Sequence, residues 1–277
     1  MASGGILSAV LIGAAVGLAA PADDDAPIPP GLSNAEVAEH AEEAFRTGVG
    51  LRDDMDRARP HFRTAARYFE ELRRRGANNP TLYRNLGNAQ LLAGDLPAAL
   101  VSYHRGLRLA PYDRDLRARL DAARGQVDYP PESPARLPGD DRPAWWPPLP
   151  PEYVFGIAVV LYLAAWVCVT RWLMTRQRRP LLTGGLILLA AVGLTAWVIA
   201  ASRAERAAAA RPLVVITDNE VWLRTGNGPA YSRRGEAPLK RGVEARLLFE
   251  RGGWLQVELT GGEVGWVPRT AALVDRP

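Results

Sequence analysis

The chain has 277 residues, a formal net charge of +4 and one cysteine, Cys168. That length points to two or more small domains, and a lone cysteine excludes an intrachain disulfide and a cysteine-based zinc site. Lys240 is the only lysine, so arginine carries the basic charge; in so alanine-rich a chain this reads first as compositional bias, and no basic stripe with interleaved aromatics suggests nucleic acid as a partner.

Residues 1–22 hold no charged side chain. Ile6 to Ala20 is a short apolar stretch, Ala20-Pro21-Ala22 fits a small-x-small cleavage pattern, and Asp23, Asp24 and Asp25 follow. This reads as a secretory signal peptide. The n-region lacks Lys and Arg, so an uncleaved signal anchor stands as the alternative, with the same topology.

Residues 33–127 read as helices. In Pro80 to Tyr112, Tyr83, Leu86 and Gly87 share one face of a first helix. Gly94-Asp95 makes a turn, and Ala99, Tyr103 and Gly106 share one face of a second helix, which Pro111 ends. Small Gly87 and Ala99 let two antiparallel helices approach closely. A weaker copy precedes it: Ala44, Phe45 and Gly48 in a first helix, then Phe62, Ala65, Ala66, Phe69 and Leu72 in a second, after a long turn near Asp53 to Arg59. Asp113 to Val127 reads as a charged capping helix with Leu116 and Leu120 inward, since a repeat cannot bury its last face alone. The spacing resembles a tetratricopeptide repeat of about 34 residues, with Gln90 standing where that family has an aromatic. The resemblance implies a peptide-binding or partner-binding groove at Arg84, Asn85 and Asn88, with Leu91 nearby. Asn can bond a peptide backbone and Arg can fork onto a carboxylate. The plainer reading is a solvated polar helix face.

Residues 128–151 form a Pro-rich linker with nine prolines from Tyr129 to Pro151, expected to be extended and semi-rigid. Pro147-Pro148-Leu149-Pro150 fits a PxxP ligand, a pattern common in any such stalk. Two uncharged runs follow, Tyr153 to Thr170 and Pro180 to Ser202, each long enough at about 1.5 Å per residue to cross most of a bilayer core. They predict a transmembrane helix over 152–174, a basic cytoplasmic loop over 175–180 and a second transmembrane helix over 181–202. Arg171, Arg176, Arg178 and Arg179 near the join place it inside. Ala191, Thr195, Ala196 and Ala200 are small enough for close helix packing. Both flanking modules are then expected on the periplasmic side of a bacterial inner membrane.

Residues 212–277 alternate in short runs between Gly-rich turns, which predicts five or six strands in a small barrel. Val221-Trp222-Leu223-Arg224-Thr225-Gly226, Lys240-Arg241-Gly242, Gly253-Trp254-Leu255 and Gly265-Trp266-Val267 together resemble a bacterial SH3-like (SH3b) domain. Such domains bind peptides or cell-wall material, or pack on neighbours. Trp222 and Tyr231 are the candidate contact aromatics; Trp254 and Trp266 are expected in the core.

No nucleophile elbow, phosphate loop, metal-binding His pair or paired-carboxylate site is evident, so no enzyme and no cofactor are expected. Glu42-Glu43, Asp53-Asp54 and Asp140-Asp141 are adjacent pairs, which do not face one another on a helix. His40, His61 and His104 are expected on helix surfaces.

The fold class expected is thus a multidomain membrane protein: an all-α repeat solenoid, a two-helix hairpin and a small all-β barrel. This order resembles BatE-type proteins of the Bacteroides aerotolerance operon. The resemblance implies an interaction scaffold tied to oxidative-stress tolerance. Its implied partners are other Bat-type membrane or periplasmic proteins, some von Willebrand factor A-like. The barrel leaves peptidoglycan or peptide sensing as the alternative.

Overall fold

The computed structural model describes residues 28–129, 151–209, 211–260 and 262–276. The expected signal peptide and nearly all of the Pro-rich linker, with its PxxP stretch and Asp140-Asp141, lie outside the described residues. Among those described are seven α-helices, one short 3₁₀ turn and five strands.

Five helices come first: α1 (Asn34–Gly50), α2 (Met55–Arg74), α3 (Pro80–Leu92), α4 (Leu96–Leu109) and α5 (Arg114–Arg124). Each starts where a short polar side chain can take up an orphan backbone N–H. Ser33 and Glu36 form a capping box on α1; Asp54, Asn79, Asp95 and Asp113 cap the next four. Each helix packs on the one before it.

α2 begins at Met55, so the long turn expected near Asp53 to Arg59 is instead a short one between Gly50 and Met55. Pro60 lies inside the helix as its sixth residue, where its ring removes the bond to the Asp56 carbonyl.

The two helix pairs share one close contact. A Cβ on Gly48 would lie 2.8 Å from the Phe62 ring, and one on Gly87 would lie 2.5 Å from the Tyr103 ring. Both glycines therefore admit an aromatic from the following helix. Val37, Ala41, Ala65, Phe69, Leu72, Leu82, Leu86 and Ala89 form a core across α1, α2 and α3.

Two long helices follow, α6 (Pro151–Thr175) and α7 (Arg178–Ala209), packed on each other. Tyr153–Thr175 and Leu182–Ala200 are long and apolar enough to cross a membrane. The helical break between them is shorter than the expected loop, and Arg176 turns it at φ 54°. The seam has period about 3.5, with Val154, Ala158, Ala165, Gly184 and Ala191 buried. Thr195 is half-buried on that seam, whereas Ala196 and Ala200 face outward.

The last segment is a five-stranded antiparallel sheet, β1 (Leu213–Ile216), β2 (Glu244–Arg251), β3 (Trp254–Glu258), β4 (Val264–Pro268) and β5 (Ala272–Asp275), in the order β4-β3-β2-β1-β5. It is open, which corrects the expectation of a closed barrel. The expected strand at Val221 to Arg224 makes only isolated bridges, to Leu239, Arg233 and Trp266. Gly226, Gly228, Pro229, Gly235 and Pro238 crowd this loop, and a chain so interrupted cannot sustain a ladder.

The main core crosses the modules. Leu100, Tyr103, Leu116, Leu120 and Ala123 from α4 and α5 are continuous with Val214, Val215, Ile216, Val243, Leu255, Val257 and Val267 from the sheet. Helices before α6 and strands after α7 therefore form one body.

Candidate functional site

The predicted groove residues all lie on α3. Arg84 Nη1 sits 3.4 Å from Asp115 Oδ2 on α5. Asn88 Oδ1 accepts from Tyr103 Oη at 2.9 Å and from Arg119 Nη1 at 3.1 Å, tying α3 to α4 and α5. Burial pushes the Tyr103 hydroxyl up to about 12, so it stays a donor. Leu91 packs on the main core, and Asn85 is half-buried. Asn88 and Leu91 are thus engaged within the fold, while Arg84 and Asn85 line its polar face.

Trp222 and Tyr231 share the loop between β1 and β2. The Arg233 guanidinium lies 4.4 Å over the Trp222 ring. Tyr231 is 51% exposed, with its ring over Gly226 and Gly228. Arg224 Nη1 donates at 2.8 Å to both Pro229 O and Tyr231 O, which fixes the loop.

Trp254 and Trp266 are not core residues. Strand alternation points Leu255, Val257 and Val267 inward and leaves both tryptophans half-buried on the other face. There Trp266 meets Phe249 edge to face.

The most organised polar cluster joins the helices to the sheet, and it includes His104, which sequence reading placed on a helix surface. Glu244 on β2 is fully buried. Its carboxylate meets His104 Nε2 at 3.0 Å and accepts from Arg124 Nε at 3.0 Å and Nη2 at 2.8 Å. Burial alone would raise the Glu244 carboxyl. The charge and hydrogen bond of His104 and the fork from Arg124 outweigh that and hold it at about 2. Arg124 is itself held above its ordinary value: its burial works against the charged form, and Glu244 more than offsets it.

A second buried carboxylate repeats the arrangement. Asp275 on β5 is met by Arg105 Nε and Arg108 Nη1, each at 2.7 Å. At the rim, Arg241 Nη2 donates to Gly94 O at 2.9 Å. Next to it Gly242 has φ +91°, and a Cβ there would lie 2.7 Å from Val127 and 3.2 Å from Leu96. Glycine is needed there for backbone conformation and for close approach.

The seam was missed because its partners are far apart in sequence. The available signal is a glutamate between Val243 and Ala245, an apolar stretch where a carboxylate needs a cation. Chemically the seam binds two modules face to face. Its two carboxylates are buried and paired with partly exposed cations, and Glu244 and Asp275 offer no open face to a substrate.

No protein-family model matches this chain, and no curated protein does.

Proposed function

We propose that this chain is a membrane-anchored interaction scaffold, with α6 and α7 as a transmembrane hairpin and both modules on the periplasmic face of a bacterial inner membrane. In this reading α1–α4 are two tetratricopeptide-type repeats capped by α5, and the sheet is an open, SH3-like module. The layout is BatE-like, and the partners are other membrane or periplasmic proteins of Bat type, including von Willebrand factor A-like ones. Oxidative-stress tolerance is the function such a complex would support. No catalytic role and no cofactor belong to this reading.

One observation carries it. Residues before α6 and after α7 share a core, and two halves of one core must lie on one side of any membrane between them. An even number of spans meets that requirement. The arginines around the α6–α7 join then favour the cytoplasm for the join. Tags after Ala22 and at Pro277 test it by protease accessibility in spheroplasts. Digestion of both is expected. Protection of both would invert the chain, and a split result would end the hairpin reading. Arg84→Ala with Asn85→Ala should reduce partner co-purification from membranes, since neither residue carries the α3–α5 packing alone.

The exposure of Tyr231, in the same loop as the Arg233-capped Trp222, favours a second reading, an envelope sensor that binds peptidoglycan or peptide. Full-length protein in detergent should then pellet with cell-wall sacculi, and Trp222→Ala with Tyr231→Ala should abolish that. Absence of pelleting by the parent would dismiss it.

A further inference from the structure

The chain leaves α7 at Ala209 and begins β1 at Leu213. Leu213 pairs with Arg246, and Leu247 N donates to Pro212 O. β2 runs antiparallel to β1, so beyond Arg246 it continues past the point where the chain arrives from α7. The β2–β3 hairpin therefore projects from the end of the sheet nearest that helix. Its tip is Gly252-Gly253, both with positive φ and nothing within 4 Å of a Cβ, the backbone of a tight two-residue turn.

This projection has an unusual surface. The register shifts between Leu247 and Phe249, so the inward–outward alternation breaks and Leu248 and Phe249 are both exposed, at 41% and 54%. Around them the charge is mainly positive. Arg269 N bonds Gly253 O beside the tip, and Arg276 and Arg269 flank Glu250. Arg211 pairs with Glu258 at 3.2 Å, and Arg251 is exposed. Asp275, at the same end, is already matched by Arg105 and Arg108.

Lengths agree with the position. The apolar span in α7 ends at Ala200 and the helix runs on to Ala209, about 13 Å further. From Arg246 to Arg251 β2 covers about 17 Å, which exceeds the helical overhang, and the hairpin meets the bilayer surface where the sheet lies close to the end of α7.

We propose that the β2–β3 hairpin is a lipid-contact element. Leu248 and Phe249 enter the headgroup layer of the bilayer that α6 and α7 cross, and the surrounding arginines meet anionic lipid phosphates. Apolar side chains rimmed by arginine suit that layer, where aromatics and cations are both favoured. The proposal rests on the membrane reading above and adds a third point of attachment, which holds the helix–sheet body at a fixed height and tilt.

The test uses the full chain with Cys168→Ser, carrying one spin label at a time from Phe249→Cys, Glu236→Cys or Val192→Cys. Residue 236 lies by the turn at the opposite end of the sheet, and residue 192 lies within the α7 span. The protein is reconstituted into vesicles of phosphatidylethanolamine and phosphatidylglycerol, and collision with oxygen and with a water-soluble nickel chelate is read. The label at 249 should collide with nickel several-fold less than the one at 236, and Arg251→Glu with Arg276→Glu should restore much of that collision. A water-exposed label at 249 with a lipid-buried one at 192 would overturn the proposal and leave the spans intact. A water-exposed label at 192 would overturn the membrane reading itself. Equal protection of 249 in lipid-free detergent would assign the patch to a protein contact instead, which also overturns it.

Discussion

Replacing Glu244 with Gln keeps the side chain's size and removes its charge. Arg124, whose side chain is only 12% exposed, would keep its charge in the seam with a neutral partner. Breaking a buried pair in this way costs about 3–5 kcal/mol. Asp121 remains 3.6 Å from Arg124, so the lower end applies. The carboxyl's titration leads to the same figure. Between 4.5 in the unfolded chain and about 2 in the fold, the difference is worth about 3 kcal/mol. The folded value is the lower one, so this stability is fully present above pH 4.5 and is lost as pH falls towards 2. Urea unfolding of the full chain in detergent, read by the fluorescence of Trp222, Trp254 and Trp266, measures it. The parent should exceed Glu244→Gln by about 3 kcal/mol at pH 7 and by under about 0.5 kcal/mol at pH 2. A variant matching the parent at pH 7, or a gap unchanged by acid, would refute the reasoning.

The same titration checks other contacts. Gly242→Ala forces a Cβ against Val127 in a left-handed backbone and should cost about 1–3 kcal/mol. Asn88→Ala leaves Tyr103 Oη without its acceptor and Arg119 with Asp115 alone and should cost about 1–2 kcal/mol, whereas Asn85→Ala should fall within about 0.5 kcal/mol of the parent. Phe62→Ala opens a cavity beneath Gly48 at a position 1% exposed and should cost about 3–5 kcal/mol.

Local chemistry was legible in the sequence. The turn at Gly94-Asp95, the helix from Asp113, the small contact at Gly87 and the apolar runs of α6 and α7 are read from neighbours a few residues apart. The α1–α2 turn is shorter than the expected stretch near Asp53 to Arg59, because Asp54 already caps α2. The tryptophans misled. Trp254 and Trp266 are the largest side chains in their strands, yet strand phase decides what is buried, and it favours Leu255, Val257 and Val267. The barrel failed for want of a ladder in the glycine-rich and proline-rich loop, which strand counting does not see. The seam was hidden most deeply, because Glu244 lies 140 residues from His104 and 120 from Arg124, and Asp275 lies 170 from Arg105. No periodicity links such pairs.

That separation also explains why the seam is ionic. The helices carrying His104, Arg105, Arg108 and Arg124 are synthesised well before β1, with α6 and α7 in between. Until the sheet arrives, this face of the helical stack meets water. Its apolar part, which includes Leu100 and Leu120, is then a patch open to wrong partners. The cations beside that patch stay hydrated and favour a surface that brings carboxylates to Arg124 and Arg105 together. Buried ion pairs add little net stability over apolar packing of the same volume, and losing one partner costs far more. The seam therefore selects the correct docking of sheet on helices more than it strengthens that docking. Any scaffold built on this body has the angle between its two modules set by the shared core together with the pairs at Glu244 and Asp275.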